Sequence, residues 1–371
     1  MRIAIIHDWL VSTGGAERCL EVFCELFPQA DIYSLVYNPE NIDSKIINSM
    51  KITTSFIQRM PFGVEKYRNY LPLMPKAVES FKLTGYDLVI SSSHCAAKGV
   101  KVSGNTCHIC YCYTPMRYVW DMYNVYFKGT ETGLAARLLM PLFVNYLRKW
   151  DVQSAGRVDY FIAISENIRK KIKKYYNREA NVIYPPVNME YFHISKQKRE
   201  DFFLVVSRLV PYKRIDLAVR VFNELKLPLV IIGDGPCYKK LSKLAGSNIK
   251  LIGKRTDEEL RDYYSRARAL VFTANEDFGI VPLEAQACGC PVIAYAEGGA
   301  LETVKEGVTG KYFYPQTEDA LAAAIKGFKS DMYKTADSRK HSLEFDRNRF
   351  KNKVKDFILI KYELFFRGKY A

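Results

Sequence analysis

The amino-acid sequence predicts an α/β fold with two doubly wound parallel-sheet domains that face a central cleft. Short apolar runs alternate with amphipathic helical stretches through residues 2–295, which is the pattern of parallel sheets covered by helices. A length of 371 residues is too great for one ordinary core and suits two. Because the pair Pro185-Pro186 breaks regular structure, we expect one domain at residues 1–186 and a second at 187–349. A final helix at about 350–371 is expected to pack back across the first domain.

Composition limits the classes of function. A hydrophobic content of 48% excludes a largely disordered chain, and a net charge of +15 indicates an anionic partner. That partner could be a nucleotide, an anionic membrane surface or nucleic acid. The basic excess is spread over both halves with no basic tail, so nucleic-acid binding is the least favoured.

Neither a secretion signal nor a transmembrane helix is expected, because no uncharged apolar run approaches the required length. We therefore expect a cytoplasmic protein with at most peripheral contact with the inner face of the cell membrane. The oligomeric state is left open.

The nine cysteines have no framework spacing, which suits a reducing compartment. Cys107, Cys110 and Cys112, with His108 between them, allow a metal-site interpretation. However, they lie in an alternating, strand-like run, where a free cysteine behaves as a small buried hydrophobe. The buried interpretation is favoured.

The first half contains four apolar runs that predict strands. These lie within residues 2–6, 86–94, 108–113 and 161–165. The first strand leads through Gly14 and Gly15 into a helix, where glycines permit close backbone approach to a ligand, although a plain tight turn is equally compatible. His94 follows the second strand, at the end where ligands bind in such sheets. Ser165 is the predicted N-cap of a helix from Glu166.

Two stretches of the first half are ambiguous. Residues 56–81 mix aromatic, basic and proline residues and do not predict a regular core helix. Leu134 to Trp150 is apolar with basic residues at its ends and Pro141 inside. A core helix with a proline kink is favoured there, and an amphipathic segment on a membrane surface is the alternative. The sequence does not decide whether either stretch touches a membrane.

The second half contains five predicted strands. They are residues 202–206, 227–232, 249–252, 269–272 and 292–295. Their carboxyl ends should lie along one edge of a sheet, where ligands bind. Polar or glycine residues with binding potential follow four of these strands, namely Arg208 and Lys213, then Gly233 and Gly235, then Lys254, then Glu276 to Glu284.

Arg208 and Lys213 form a candidate clamp for a diphosphate. A forked guanidinium and a point ammonium suit such an anion, and their charge would stabilise it as a leaving group. Gly233 and Gly235 would allow backbone contact with a flat base. No Asp-x-Asp pair occurs in the chain, so we expect no metal to handle the diphosphate.

The segment after the fourth strand of the second half carries two glutamates, Glu276 and Glu284, eight residues apart. A helix is expected to start there with Pro282 in its first turn and to stop at Gly289. Its N-terminus offers backbone N–H groups and a positive dipole end to a phosphate. One loop could thus hold a sugar and a phosphate, whereas plain helix-cap carboxylates are the alternative.

Together these motifs resemble the retaining glycosyltransferases of family 4, which have the GT-B fold. Glu276 and Glu284 match the E-x7-E motif, and residues 207–213 and 233–236 stand in the expected order before it. In the first half, residues 7–17 and 113–121 resemble mannosyltransferases of O-antigen and related polysaccharide assembly.

The resemblance implies roles for individual residues. Glu276 would lie near the donor hexose with His94, Glu284 would bind the ribose, and Arg208 and Lys213 would hold the diphosphate. The expected catalytic set is Glu276, His94, Arg208 and Lys213. Further donor contacts are expected from Gly15, Gly233, Gly235, Lys254, Glu284 and the segment Phe278, Gly279, Ile280 and Val281. Candidates on the acceptor side are Asp8, Arg117, Tyr118, Trp120 and Asp121.

The implied reaction is hexose transfer with retention of configuration, without a metal or another cofactor. The expected donor is GDP-mannose, and the expected acceptor is a glycan or a polyprenol-diphosphate-linked glycan. A hexosyltransferase that uses a UDP- or ADP-sugar and a nucleotide-sugar epimerase are alternatives. The base, the hexose, the acceptor and the linkage formed are not decided by the sequence.

Overall fold

The computed structural model describes residues 1–121, 123 and 134–370. The chain divides into two compact units, each built on one parallel sheet. The prediction of two parallel α/β sheets is confirmed. No helix within the described ranges is long and apolar enough to cross a membrane.

Unit 1 comprises Met1–Pro185 and Phe350–Ala371 and contains a seven-stranded sheet of order β3-β2-β1-β4-β5-β6-β7. The strands are β1 Ile3–His7, β2 Asp31–Ser34, β3 Ile52–Thr54, β4 Leu88–Ser93, β5 Cys107–Cys112, β6 Tyr160–Ala163 and β7 Ala180–Val182. The helices are α1 Gly15–Leu26, α2 Lys45–Ser49, α3 Met74–Glu79, α4 Leu134–Ala155 and α5 Glu166–Tyr176, with a C-terminal helix at Arg347–Tyr370.

The central strands of unit 1 are enclosed by its core. Strands β1, β4 and β5 are buried along their length, as expected of parallel strands covered on both faces. The C-terminal helix helps to cover one face of this sheet. Its Phe350 packs against Phe23 of α1 and Tyr111 of β5, with ring centroids 6.1 and 5.6 Å apart. The strand order reverses between β1 and β4, which is the switch point where such sheets bind ligands.

Unit 2, Pro186–Arg349, contains a six-stranded sheet of order β10-β9-β8-β11-β12-β13. The strands are β8 Phe203–Val206, β9 Leu229–Ile232, β10 Ile249–Leu251, β11 Ala269–Phe272, β12 Val292–Tyr295 and β13 Gly310–Phe313. The helices are α6 Ile215–Leu225, α7 Tyr238–Leu244, α8 Asp257–Arg266, α9 Ile280–Ala287, α10 Ala300–Thr303, α11 Glu318–Lys326 and α12 Thr335–Ser342. Its switch point lies between β8 and β11.

Most predicted elements are confirmed, two of them to the residue at β11 and β12. Ser165 caps α5, since its side chain accepts from the N–H of Ile168 at 3.0 Å. Gly289 follows α9 with a φ of +78°, a conformation that favours glycine at a helix end. Strands β2, β3, β7 and β13 were not predicted.

The ambiguous stretches of the first half have mixed structures. Residues 56–79 form two short 3-10 helices, Phe56–Arg59 and Tyr67–Leu73, followed by α3. Helix α4 contains Pro141 as predicted and buries one side, whereas other side chains of its described part are exposed. All nine cysteines are buried, and Cys107, Cys110 and Cys112 lie in the fully buried strand β5, as their interpretation as small buried hydrophobes predicts.

Candidate active site

The candidate site of unit 2 lies at the carboxyl edge of its sheet, beside the switch point. The 3-10 helix Pro211–Lys213 follows β8, and the loop from Thr273 follows β11. The hydroxyl of Thr273 donates to the backbone carbonyl of Lys213 at 2.8 Å, and the side-chain amide of Gln316 donates to the carbonyl of Thr273 at 2.8 Å. These bonds connect the loops after three different strands, so their side chains share one region.

Lys213 and Glu276 are brought into direct contact there. The Nζ atom of Lys213 lies 2.6 Å from Oε1 of Glu276, and the two side chains are 16% and 23% exposed. A cation and a carboxylate thus lie side by side at the surface of the loop.

Arg208, the second predicted diphosphate ligand, is exposed in the loop that follows β8. Among the residues that the structure describes, no carboxylate lies within ion-pairing distance of its guanidinium. An exposed arginine without an internal partner keeps its donors available to an external anion.

Gly233 and Gly235 have a role in packing that the sequence did not reveal. A Cβ at Gly233 would lie 1.8 Å from the carbonyl oxygen of Ser207, and one at Gly235 would lie 2.5 Å from that of Leu209. Their φ angles, +141° and +153°, are also unfavourable for other residues. The two glycines therefore let the loop after β9 pack directly against the backbone around Arg208. Contact of these glycines with a base stays a prediction.

The loop that carries Glu276 is held by a second glycine pair, Gly298 and Gly299. The N–H of Gly299 donates to the carbonyl of Glu276 at 2.8 Å, and a Cβ on Gly299 would lie 2.1 Å from the carbonyl oxygen of Phe278. The pair follows β12. Its position shows that it fixes the backbone from Glu276 to Phe278.

Helix α9 begins directly after this loop. Gly279 adopts a φ of +92° at its N-cap, so the backbone turns sharply and the first-turn N–H groups, which include those of Ile280 and Val281, face the loop side. Glu284 lies one turn further on and is 6% exposed, and the hydroxyl of Tyr264 donates to its Oε2 at 3.1 Å. Lys254 is exposed after β10.

In unit 1, Asp8 organises the loop that carries His94. The completely buried carboxylate accepts four backbone hydrogen bonds of 2.6–2.9 Å, which come from residues 94–97. Its Oδ2 also lies 3.3 Å from Nδ1 of His94. The structure thus brings together two predicted site residues, one from the end of β1 and one from the end of β4.

His94 is enclosed by rings, with Trp9 edge-on at 4.4 Å between centroids. Burial lowers the pKa of His94 to about 4, although the carboxylate of Asp8 acts in the opposite direction. The nearby charge of Arg117 contributes to the lowering. His94 is therefore a neutral imidazole at neutral pH, with one ring nitrogen that can donate a hydrogen bond and one that can accept.

Acid should destabilise unit 1 through its buried histidines. Burial also lowers the pKa of His108 to about 4, while an unfolded histidine has a pKa near 6.5. Because the unfolded state binds the extra protons, the stabilisation is complete above about pH 6.5 and is lost as the pH falls toward 4. Urea unfolding at pH 7 and pH 5 should differ by on the order of 2 kcal/mol for each such histidine. A His108→Asn variant should show a smaller difference, and equal pH dependence in both proteins would contradict this assignment.

A buried chain of hydrogen bonds, which the sequence did not reveal, connects β1 to the glycine turn that precedes α1. Nε2 of His7 lies 3.4 Å from a carboxylate oxygen of Glu17, and Nδ1 of His7 lies 2.9 Å from the hydroxyl of Ser92. The other oxygen of Glu17 accepts from the N–H of Gly14 at 2.8 Å, as in a capping box. Glu17 therefore fixes the glycine turn that precedes α1. The Gly-x-x-Glu spacing was the available signal.

The remaining acceptor-side candidates are engaged with neighbouring helices. Trp120 donates from its indole N–H to Asp151 at 2.8 Å and stacks on Tyr175 at 4.6 Å. Asp121 is paired with Lys171 at 2.7 Å and accepts from the hydroxyl of Tyr175. Tyr118 is buried and Arg117 is half-buried. These contacts are all within the protein. Binding of an acceptor by Asp8 and by these four residues therefore stays a prediction.

Comparison with known proteins agrees with this architecture. The model of Glycosyltransferase Family 4 matches residues 13–191, and the model of Glycosyl transferases group 1 matches residues 189–344. The uncharacterized glycosyltransferase MJ1178 of Methanocaldococcus jannaschii is 31% identical over 157 residues, which are 41% of this chain and 44% of that protein.

Two relatives have a named activity. A GDP-mannose-dependent alpha-(1-6)-phosphatidylinositol monomannoside mannosyltransferase of Mycolicibacterium smegmatis is 32% identical over 149 residues, which are 35% of this chain and 39% of that protein. The O-antigen chain mannosyltransferase RfbU of Salmonella typhimurium is 27% identical over 200 residues, which are 51% of this chain and 55% of that protein. The chain thus spans about half the length, or less, of these curated relatives.

Solved structures agree over almost the whole chain. Anabaena Alr3699/HepE, in complex with UDP, has a TM-score of 0.72 at 18% identity and covers 96% of this chain and 99% of its own. Sucrose-phosphate synthase of Thermosynechococcus elongatus has a TM-score of 0.74 at 18% identity and covers 98% and 100%. Two family models that together extend from residue 13 to residue 344, and this agreement in fold, show that the chain belongs to glycosyltransferase family 4, with the GT-B fold.

Proposed function

We propose that this protein is a retaining, metal-independent hexosyltransferase that moves mannose from GDP-mannose to a glycan or a polyprenol-diphosphate-linked glycan. The observation that carries the proposal is the contact of Lys213 with Glu276 in a loop beside the N-terminus of α9. The carboxylate can accept from sugar hydroxyls, and the cation and the helix N-terminus can both bind phosphate oxygens, so the three groups together suit a nucleotide sugar.

In the proposed reaction, the bond from the anomeric carbon to the phosphate oxygen breaks and its electron pair leaves with GDP. Lys213 and the exposed Arg208 stabilise the negative charge that develops on the diphosphate. The acceptor oxygen bonds to the anomeric carbon on the same face, and its proton passes to the departing phosphate oxygen. Glu276 orients the hexose and is not assigned as a nucleophile, because displacement on the same face retains the configuration without a covalent enzyme intermediate.

Mannose and the guanine nucleotide are supported by two relatives, whose names specify a mannosyltransferase and, in one case, GDP-mannose. Those names also specify a phosphatidylinositol mannoside and an O-antigen chain, which suits a lipid-linked or glycan acceptor for this protein. We propose a cytoplasmic location for the reaction, at the inner face of the cell membrane.

The choice of donor can be tested by a thermal-shift screen of GDP-mannose against UDP-glucose, ADP-glucose and a TDP-sugar. A ligand at one hundred times its dissociation constant adds about 2.7 kcal/mol to the stability of the folded protein, so the correct donor should raise the melting temperature clearly. GDP-mannose should give the largest shift, and Arg208→Ala should reduce it. A larger shift with UDP-glucose would replace the donor, and no shift with any of them would contradict the transferase proposal.

An epimerase is separated from a transferase by the need for an acceptor. Incubation of the protein with GDP-mannose alone should leave the sugar unchanged in NMR spectra. Appearance of a second nucleotide hexose without an acceptor would instead establish the epimerase.

A further inference from the structure

An exposed phenylalanine projects from unit 1 in an unusual conformation. Phe62 is 64% exposed and has a φ of +52°, a left-handed conformation that is rare for a bulky residue. The turn is tight, since a Cβ on Gly63 would lie 2.0 Å from the carbonyl oxygen of Ile57. Strained backbone of this kind persists where the surroundings enforce it, often for a function. Here it holds a large apolar ring in solvent.

A second exposed apolar surface lies on α4. Leu142, Phe143 and Tyr146 are all exposed, and their helical spacing places them on one side of the helix. Val144 and Leu147 on the other side are buried in the core of unit 1. Helix α4 is thus apolar on two sides, one of which faces solvent.

The two apolar surfaces belong to the same part of unit 1. The 3-10 helix Tyr67–Leu73, which follows the Phe62 turn, contacts α4, and residues from both segments share one core cluster. The Phe62 segment emerges after the carboxyl end of β3, and α4 belongs to the connection that leaves the carboxyl end of β5. This is also the edge at which Asp8 and His94 meet.

Basic side chains surround these apolar residues. Nζ of Lys66 lies over the ring of Phe62, 4.6 Å from its centroid. Among the described side chains of residues 56–81 and of α4, the other exposed basic residues are Arg59, Arg68, Lys76 and Lys149, and the one exposed acid is Glu65. An apolar surface bordered by lysine and arginine complements a bilayer with anionic headgroups, since the rings enter the interface and the cations contact the lipid phosphates.

We propose that this surface, defined by Phe62, Leu142, Phe143, Tyr146 and the surrounding basic residues, docks unit 1 onto an anionic membrane. Phe62 is the residue that inserts. The docked face is the edge at which Asp8 and His94 lie, so a lipid-linked acceptor would be delivered there. Only this last point rests on the proposed function, because docking itself requires no transferase activity.

Vesicle co-sedimentation tests the proposal with the full-length chain. The protein should bind vesicles that contain about one-third phosphatidylglycerol at low salt and should bind pure phosphatidylcholine weakly. Phe62→Ser combined with Phe143→Ser should weaken binding at least about tenfold, since each phenyl ring would otherwise leave water. Met332→Ser is the matched control, because Met332 is 69% exposed in unit 2 and should not affect binding.

Tryptophan fluorescence measures insertion without the double serine variant. The fluorescence of Phe62→Trp should shift to the blue and be quenched by brominated lipids on addition of anionic vesicles, whereas that of Met332→Trp should not. Binding that the serine variants leave unchanged would overturn the proposal. So would a stable dimer in analytical ultracentrifugation that the same serine variants dissociate, because the surface would then bind a second copy. If the serine variants still bind GDP-mannose, their loss of vesicle binding is a loss of membrane contact and not of the donor site.

Discussion

Lys213→Ala and Glu276→Gln are each expected to lower the rate of hexose transfer at least about a hundredfold. Removal of one preorganised group that stabilises developing charge typically costs a factor of this size. Lys213→Ala removes the positive charge that would attract the departing diphosphate. Glu276→Gln removes the negative charge of this side chain and its ion pair with Lys213. The rate is measured as release of GDP from GDP-mannose at saturating donor and acceptor.

The same variants should remain folded. The Lys213–Glu276 pair is partly exposed, and pairs of this kind contribute about 1 kcal/mol or less to stability. Glu297→Gln is a matched control in the neighbouring loop, since Glu297 accepts from the side-chain amide of Asn275 at 2.7 Å and has no proposed role in transfer. Melting temperatures close to that of the natural protein, with activity lost only in the first two variants, are expected. Near-normal transfer by either variant would contradict the assigned roles.

Asp8→Asn should be the most destabilising single substitution at the site. Oδ1 and Oδ2 each accept two backbone N–H groups, and an amide would place its own donor against two of them. Leaving buried donors unsatisfied costs about 1–3 kcal/mol each, so a loss of about 3 kcal/mol is expected. In a domain of this size that loss lowers the melting temperature by about 6–12 °C.

A control for Asp8 exists in the same unit. Asp121 is a partly exposed aspartate that pairs with Lys171, so Asp121→Asn should cost about 1 kcal/mol or less. Calorimetry of both variants compares them directly. If Asp8→Asn melts like the natural protein but loses transfer, Asp8 contacts the acceptor instead of building the His94 loop.

Much of the fold could be predicted because parallel strands covered on both faces are continuous apolar runs. Ala269–Phe272 and Val292–Tyr295 are of this kind and were predicted to the residue. Strands with polar or only partly buried residues gave no such signal. Asp31–Ser34 and Gly310–Phe313 become strands because they pair with neighbours that the local sequence does not show.

The candidate site was predictable where its residues follow one another along the chain. The segment from Glu276 to Glu284 and the pair Arg208 and Lys213 could be located by spacing alone. Contacts between distant segments could not be located in this way. For example, the carboxylate of Asp8 accepts hydrogen bonds from the N–H groups of residues 94–97. Likewise, Gly233 has no side chain and so leaves room for the backbone of Ser207.

The central proposal, transfer of mannose from GDP-mannose with retention, is tested most directly by an NMR time course. GDP-mannose, which carries an α-linked sugar, is incubated with the protein and a polyprenol-diphosphate-linked glycan. We expect GDP and an α-linked mannosyl product to appear together and at equal rates, and we expect neither with Lys213→Ala. A β-linked product, or GDP-mannose that stays intact while another nucleotide sugar is consumed, would contradict it.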